Sequence, residues 1–168
     1  MLRRRSPRLK DWDYGTPDAY FVTVVTQLRR SLFGTIDGEG VMTRSSLGTI
    51  AEAEWWRTAT VFPNAHSPVF VLMPNHVHGI VYLNLDPDLT RRPAHLSAFV
   101  GSYKSAVSRR AGAGIWQRSF YDRIIREERD LAVLWDYIES NQGRWAEDRE
   151  NPTTCWKGGA SPAPTLTT

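Results

Sequence analysis

The chain has 168 residues, of which 41% are hydrophobic and 23% are charged, a composition typical of one globular domain. Its apolar runs are too short to span a bilayer, no hydrophobic segment of a secretory signal follows the basic N-terminal residues, and the single Cys155 excludes an internal disulfide. The sequence therefore predicts a cytoplasmic protein without a membrane partner.

The formal net charge of +3 is distributed unevenly along the chain. The first ten residues contain no acid, basic residues outnumber acidic ones over residues 84–126, and acids predominate over residues 127–150. This segregation suits a polyanionic partner, because Lys and Arg replace the counterions that condense on phosphates. From charge alone, an ordinary solvated basic surface explains the pattern equally well.

The predicted elements, in chain order, begin after a polar, basic arm over residues 1–13. β-branched and aromatic residues predict a first strand at 20–27, and apolar residues spaced by three and four predict a helix over about 44–61. Two further strands, 67–73 and 76–83, are separated only by Pro74 and Asn75, which favours an antiparallel hairpin.

The second half of the chain continues the alternation of helices and strands. Apolar spacing predicts a helix over 93–111, a fourth strand is predicted at 115–125, and helical spacing returns over about 127–146. Residues 151–168, rich in Pro, Gly, Ser and Thr, are predicted to form a flexible tail. The order β-α-β-β-α-β-α over residues 14–150 predicts one α+β domain with a ferredoxin-like antiparallel sheet and helices packed mainly on one face.

His76 and His78 are separated by one residue on a predicted strand. Side chains two apart on a strand point to the same face, so both imidazoles project together and could hold one divalent ion. A polar surface pair or a hydrogen-bonded pair is the more common explanation of an isolated His-x-His. The position directly after the Pro74-Asn75 turn, at the end of an apolar hairpin, favours a metal site.

Three groups of residues together resemble a known family. They are Val71–Gly79 (VLMPNHVHG), Trp116–Asp122 (WQRSFYD) with Ile124–Arg126 (IIR), and Asp136–Ile138 (DYI) with Asn141. This combination, spread over about residues 20–145, is similar to the single-tyrosine HUH transposases. Within them it most resembles the REP-associated tyrosine transposases, which are relatives of the IS200/IS605 enzymes. The combination is specific, whereas the histidine pair alone would not be.

The resemblance implies an enzyme that cuts single-stranded DNA and transfers strands. In this family the paired histidines, here His76 and His78, hold a metal, and the helical tyrosine, here Tyr137, attacks a DNA phosphate to leave a 5′-phosphotyrosine. A side chain one helical turn later can complete the metal site, which falls on Asn141. Family members commonly have Asn-Pro after this helix, where this chain has Asn141-Gln142, so Gln142 is the alternative third ligand.

Asn141 is favoured as the third ligand, because a residue four positions after Tyr137 shares its helical face and one five positions later points away. The family implies Mg²⁺ or Mn²⁺ as the cofactor, and Mn²⁺ is the better match to histidine. The sequence shows no dedicated base to accept the Tyr137 proton.

The implied partner is single-stranded or hairpin DNA, bound by a monomer or a homodimer. Aromatic side chains stack on unpaired bases, and cationic side chains bind phosphates. The candidate contacts are Arg3, Arg4, Arg5, Lys104, Trp116, Arg118, Phe120 and Arg123. Each basic candidate is equally well explained as a solvated charge.

Two other functions stay open at this point. A domesticated relative could bind hairpin DNA without cutting it, and an unrelated phosphodiesterase could use the metal to activate water while Tyr137 only packs. The presence of His76, His78 and Tyr137 together favours the transposase-type enzyme, because binding alone requires none of them.

Overall fold

The computed structural model of the protein describes residues 18–83 and 95–153. Its strands and helices, in chain order, are β1 (Asp18–Val25), β2 (Gly34–Ile36), β3 (Met42–Arg44), α1 (Ser46–Val61), β4 (Ala65–Leu72), β5 (His76–Leu83), α2 (Leu96–Ala111), β6 (Tyr121–Ile125) and α3 (Glu128–Ser140). Two short 3₁₀ segments, Gln27–Arg29 and Gln142–Glu147, follow β1 and α3. None of the helices in these two ranges has the length and apolarity that crossing a membrane requires.

A four-stranded antiparallel sheet in the order β4-β5-β1-β6 forms the centre of the fold. β1 pairs with β5 on one side and with β6 on the other. Val25 lies opposite His76, and Thr23 lies between His78 and Tyr121. The predicted ferredoxin-like α+β fold is confirmed, since β1, α1, β4, β5, α2, β6 and α3 follow one another in the predicted order.

The sheet separates two hydrophobic cores. On one face, α1 and α2 cover the sheet around Trp55, Phe99 and Tyr103, all of which are buried. On the other face, α3 packs through Leu134 and Ile138. Two of the three helices therefore lie on one face, as predicted, and the third leaves part of the opposite face for the histidines.

Local chemistry explains where the helices begin and end. α1 is capped at its N-terminus by Ser45, whose hydroxyl accepts a hydrogen bond from the Gly48 N–H at 3.0 Å. A Cβ at Gly48 would meet the Phe33 carbonyl oxygen, so only glycine allows this helix end to approach the preceding chain. α2 is capped at its C-terminus by Gly112, whose left-handed φ of 67° closes the last turn.

Three segments differ from the sequence prediction. The small β2–β3 hairpin was not predicted, although its turn coincides with the Gly-rich residues 37–40. The last strand begins at Tyr121 and not at 115, because residues 117–119 direct their carbonyl groups to the Lys104 ammonium and Trp116 makes only an isolated bridge to Thr26. α3 ends at Ser140, and the chain then tightens into the 3₁₀ segment. The predicted arm at 1–13, residues 93–94 and the predicted tail from 154 onwards lie outside the described residues.

Candidate metal and tyrosine site

His76 and His78 lie at the start of β5 on the sheet face that α3 covers. Both are buried, and their Nε2 atoms are 3.0 Å apart. Val77 between them points into the opposite core, as strand geometry requires. The Phe21 ring from β1 stacks against His78 with centroids 5.2 Å apart. The sequence prediction that both imidazoles project together thus agrees with the observed geometry.

Asn75, which is fully buried, determines which ring nitrogen of His76 carries the proton. Its Nδ2 donates to the carbonyl oxygens of Arg29 at 3.1 Å and Glu150 at 2.6 Å, which fixes the orientation of the amide. Its Oδ1 lies 2.8 Å from His76 Nδ1 and can only accept, so that nitrogen carries the proton. The His76 Nε2 lone pair therefore faces His78, which is the tautomer that a metal ligand needs.

His78 is held in a similar way from β1. Its Nδ1 lies 2.7 Å from the Thr23 hydroxyl, which can either donate or accept a hydrogen bond. Both tautomers of His78 are therefore compatible with this contact. In one, Nε2 carries the proton and donates to His76; in the other, Nε2 offers its lone pair to a cation. Burial lowers the pKa of His76 to about 3, with a further contribution from the positive charge of Arg29. Burial and His76 hold the pKa of His78 well below its usual range. Both imidazoles are thus neutral near pH 7.

Tyr137 on α3 reaches this pair from the adjoining helix. Its hydroxyl is 3.5 Å from His78 Nε2, and its ring meets that of His78 edge-on, with centroids 5.3 Å apart. Burial raises the pKa of Tyr137 to about 12, and the negative charges of Asp148 and Glu150 act in the same direction. A hydrogen bond from the Asn141 side chain opposes them by stabilising the phenolate. The sequence alone placed Tyr137 on this helix, and the structure adds the contact.

Asn141 and Gln142, the two alternatives for a third ligand, point to different places. Asn141 is buried beside Tyr137, and its Oδ1 has no hydrogen-bond partner among the described residues. Gln142 donates from Nε2 to the Leu72 carbonyl on β4 at 3.0 Å. An unpaired buried carbonyl oxygen is costly, and a cation would satisfy it.

Asp148 is a site residue that sequence reasoning missed. One carboxylate oxygen, Oδ2, lies 3.7 Å from His76 Nε2, and the other accepts from the Glu150 N–H at 2.7 Å. Ligand atoms of His76, His78 and Asp148 all lie within 4.8 Å of one another. No spacing rule connects Asp148 to the histidines, because it arrives through the 3₁₀ segment after α3.

These groups fit a divalent cation. Two ligands at right angles, each about 2.1 Å from an ion, are about 3 Å apart, which is the separation of the two Nε2 atoms. Two neutral imidazoles and a carboxylate form a donor set suited to a divalent metal ion. His76, His78 and Asp148 are the residues that could hold such an ion.

Arg29 and Glu150 complete the surroundings of the histidines and were also missed. Arg29 Nε donates to Glu150 Oε2 at 2.6 Å, and the Glu150 side chain is only 3% exposed. The hydrogen bond to Glu150 raises the pKa of Arg29. Because Asn75 bonds to the backbone of both residues, this ion pair is attached to the same amide that orients His76.

The candidate DNA contacts occupy different environments. Lys104 donates to the carbonyls of residues 117–119, and Trp116 donates from Nε1 to the Lys104 carbonyl at 3.1 Å, so both hold the loop before β6. Phe120 is buried in the core of the α1–α2 face. Arg118 is exposed on the same loop, and Arg123 is 3.4 Å from Asp130. Arg3, Arg4 and Arg5 lie outside the described residues.

No family model matches the chain. An uncharacterized protein of Haemophilus influenzae is 31% identical over 166 residues, which cover 87% of this chain and 92% of that protein. A solved REP-associated tyrosine transposase bound to a REP hairpin superposes with a TM-score of 0.58 at 22% identity, covering 84% of this chain and 72% of that one. A putative transposase from Deinococcus radiodurans gives a TM-score of 0.43 at 18% identity, covering 80% of this chain and 96% of that one.

At this level of identity, the structural likeness establishes the fold. The resemblance inferred from the sequence motifs is therefore confirmed for the fold, with the paired histidines and the helical tyrosine in one site. The chain belongs to the same family as the Haemophilus influenzae protein, and its fold is that of the REP-associated tyrosine transposase.

Proposed function

We propose that this protein is a metal-dependent endonuclease and strand transferase for single-stranded or hairpin DNA, with Tyr137 as the nucleophile. The observation that carries the proposal is the 3.5 Å approach of the Tyr137 hydroxyl to an imidazole pair that fits a cation. The fold supports it, because a protein with this fold was solved bound to a REP hairpin.

The chemistry begins with Tyr137 in its protonated form, because the raised pKa keeps the phenol neutral near pH 7. The phenol gives up its proton to solvent as its oxygen attacks the phosphorus, and the leaving 3′ oxygen takes up a proton from solvent in exchange. A Tyr137–phosphorus bond forms, the bond from phosphorus to the 3′ oxygen breaks, and the released strand carries a free 3′ hydroxyl. When bound, the divalent ion would withdraw charge from the phosphate oxygens and favour the phenolate.

The other residues of the site orient the reacting groups. Asn141 donates to the Tyr137 oxygen and so stabilises the phenolate that attacks. Asn75 and Thr23 hold the imidazoles in one orientation. The covalent 5′-phosphotyrosine retains the energy of the phosphodiester bond, so a second 3′ hydroxyl can displace Tyr137 without ATP.

The DNA would reach this site along the end of the sheet where β1 ends and β5 begins. The exposed Arg118 belongs to a loop joined to that end by the Gln117 N–H to Val25 carbonyl bond of 2.9 Å. We propose Arg118 and Arg123 as phosphate contacts, Trp116 as a partly buried stacking surface, and Arg3, Arg4 and Arg5 as an arm along the DNA. Lys104 supports the loop, and the buried Phe120 packs beneath it.

The test is a covalent-transfer assay with Mn²⁺. A pool of hairpins with randomised single-stranded flanks is labelled at the 3′ end in one sample and at the 5′ end in another. We expect the 3′ label to move with the protein on a denaturing gel, and the 5′ label to be released on a shorter strand. Peptide mapping should place the adduct on Tyr137. Cutting without an adduct would indicate a phosphodiesterase, and binding without cutting would indicate a DNA-binding protein.

We propose that His76, His78, Asn141 and Asp148 hold Mn²⁺ or Mg²⁺, and metal binding by single variants tests this ligand set. We expect His76→Ala to stay folded but to lose DNA cleavage. Its affinity for Mn²⁺ should fall at least about 100-fold, because one of the metal ligands is removed. The Mn²⁺ affinities of Asn141→Ala and of Asp148→Asn should each fall at least about tenfold. Gln142→Ala should bind Mn²⁺ normally, because its amide donates to Leu72. Isothermal titration calorimetry with Mn²⁺ measures the affinity of all four variants. Unimpaired metal binding or DNA cutting by His76→Ala would refute the metal assignment.

A further inference from the structure

The turn after β1 holds two successive residues in a conformation that their side chains disfavour. Leu28 and Arg29 have φ values of 57° and 52°, in the left-handed region that glycine or asparagine normally occupies. Packing of Leu28 does not hold the turn, because this side chain is 83% exposed. Such backbone strain persists only where the surroundings impose it, and it concentrates at functional sites.

Hydrogen bonds from three directions impose this turn. The Thr26 N–H donates to the Asn75 carbonyl at 2.8 Å, and the Gln27 N–H donates to the Ile115 carbonyl at 2.7 Å. The Asn75 amide donates to the Arg29 carbonyl at 3.1 Å. The oxygen of the same amide accepts from His76 at 2.8 Å, so the Asn75 side chain links the backbone of Arg29 directly to the imidazole pair.

The Arg29 side chain is fixed at one edge only. Nε and Nη2 face the Glu150 carboxylate at 2.6 Å and 3.4 Å, and within residues 18–83 and 95–153 the remaining N–H groups of the guanidinium have no partner. The side chain is 41% exposed. A guanidinium has five donors in a planar fork, so one edge can stay on Glu150 while Nη1 binds a second anion. The positive charge already acts at the site, because it helps to lower the pKa of His76.

We propose that Arg29 is a further catalytic residue, whose guanidinium binds the non-bridging oxygens of the phosphate that Tyr137 attacks. This inference rests on the proposed function. The guanidinium would balance the negative charge that builds on those oxygens as the bond to Tyr137 forms and the bond to the 3′ oxygen breaks. Glu150 is the positioning residue that holds the fork beside the histidines. The strain at Leu28 and Arg29 follows from directing this side chain toward the site.

A purely structural role for Arg29 would be to anchor Glu150, whose N–H bonds to Asp148. The two roles differ in their response to the charge of the phosphate. The experiment therefore uses two versions of one cleaved oligonucleotide, with either a natural phosphate or a neutral methylphosphonate at the scissile position. The rate of Tyr137 adduct formation is measured in a single turnover for wild type, Arg29→Gln and Arg29→Lys. Arg30→Gln, an exposed neighbour in the same turn, is the matched control.

On the natural phosphate, we expect Arg29→Gln to slow adduct formation by about 100-fold or more, and Arg29→Lys by about tenfold, because lysine keeps the charge but not the fork. On the methylphosphonate, the ratio of wild-type to variant rates should fall below about threefold, since the methyl group removes one of the negative charges that the guanidinium would balance. Arg30→Gln should stay within about twofold of wild type on both.

Two outcomes would overturn the inference while leaving the proposed function intact. One is adduct formation by Arg29→Gln at the wild-type rate. The other is an equal loss on both DNAs, which would show that Arg29 acts only through the fold. Circular dichroism melting shows whether each variant is folded, and Arg29→Lys carries the comparison if Arg29→Gln is not. If wild type forms no adduct on the natural DNA, the proposed function itself has failed.

Discussion

Tyr137→Phe is expected to lower the rate of covalent adduct formation by on the order of 10³-fold or more, because it removes the only nucleophilic atom of this side chain. The change deletes the hydroxyl that lies 3.5 Å from His78 and keeps the ring in contact with Phe21 and His78. The fold and the binding of DNA should therefore persist. A single-turnover assay with 3′-labelled DNA gives the rate, and a gel shift gives the affinity.

Tyr82→Phe is the matched control, because Tyr82 is a partly exposed tyrosine on the same strand as the histidines and its ring contacts His66 and not the site. It should form the adduct at the wild-type rate. An adduct that survives in Tyr137→Phe would contradict the assignment. Peptide mapping would then show whether Tyr121 on β6, which lies opposite Thr23, is the residue modified.

The second large effect is a loss of stability in mild acid. In the folded protein the pKa of His76 is about 3, and in the unfolded chain it returns to about 6.5. Between these values the unfolded chain binds a proton that the folded chain does not, so the free energy of unfolding falls as the pH falls. His76 alone should remove about 2 kcal/mol between pH 6.5 and pH 5, and the lowered pKa of His78 acts in the same direction.

Urea unfolding of the metal-free protein at several pH values measures this slope. His76→Gln should show a shallower dependence over the same interval, because the group that takes up the proton is gone. Gln142→Ala, which removes no titratable group, should keep the wild-type slope. A wild-type free energy of unfolding that stays constant from pH 6.5 to pH 5 would mean that His76 is not held neutral by burial.

The parts of the site that lie on regular elements could be predicted from the sequence. The β4–β5 hairpin follows from two β-branched segments and a two-residue link, and the period of a strand then places both imidazoles on one face. The period of a helix places Asn141 beside Tyr137. These local rules are sufficient because the relevant residues are two and four positions apart.

The remaining groups come together through contacts that no local pattern encodes. Arg29 and Glu150 are 121 positions apart, and Asn75 joins them through backbone carbonyls that any residue would offer. The left-handed turn at Leu28 contains no glycine to signal it. The six residues before β6 were predicted as strand, because Trp116 and Phe120 have high strand propensity, whereas the observed loop is set by Lys104.

The meeting of Tyr137 and His78 within one polypeptide has a consequence for how the chain would work on DNA. Under the proposed function, the nucleophile and the cation-binding groups belong to one molecule, and the centre would form without an exchange of helices between two copies. Under the proposed chemistry, each molecule would cut one strand and remain attached to it. A single copy would thus hold one end of a break at a time, and joining two distant ends would require either a second copy or sequential handling of the ends.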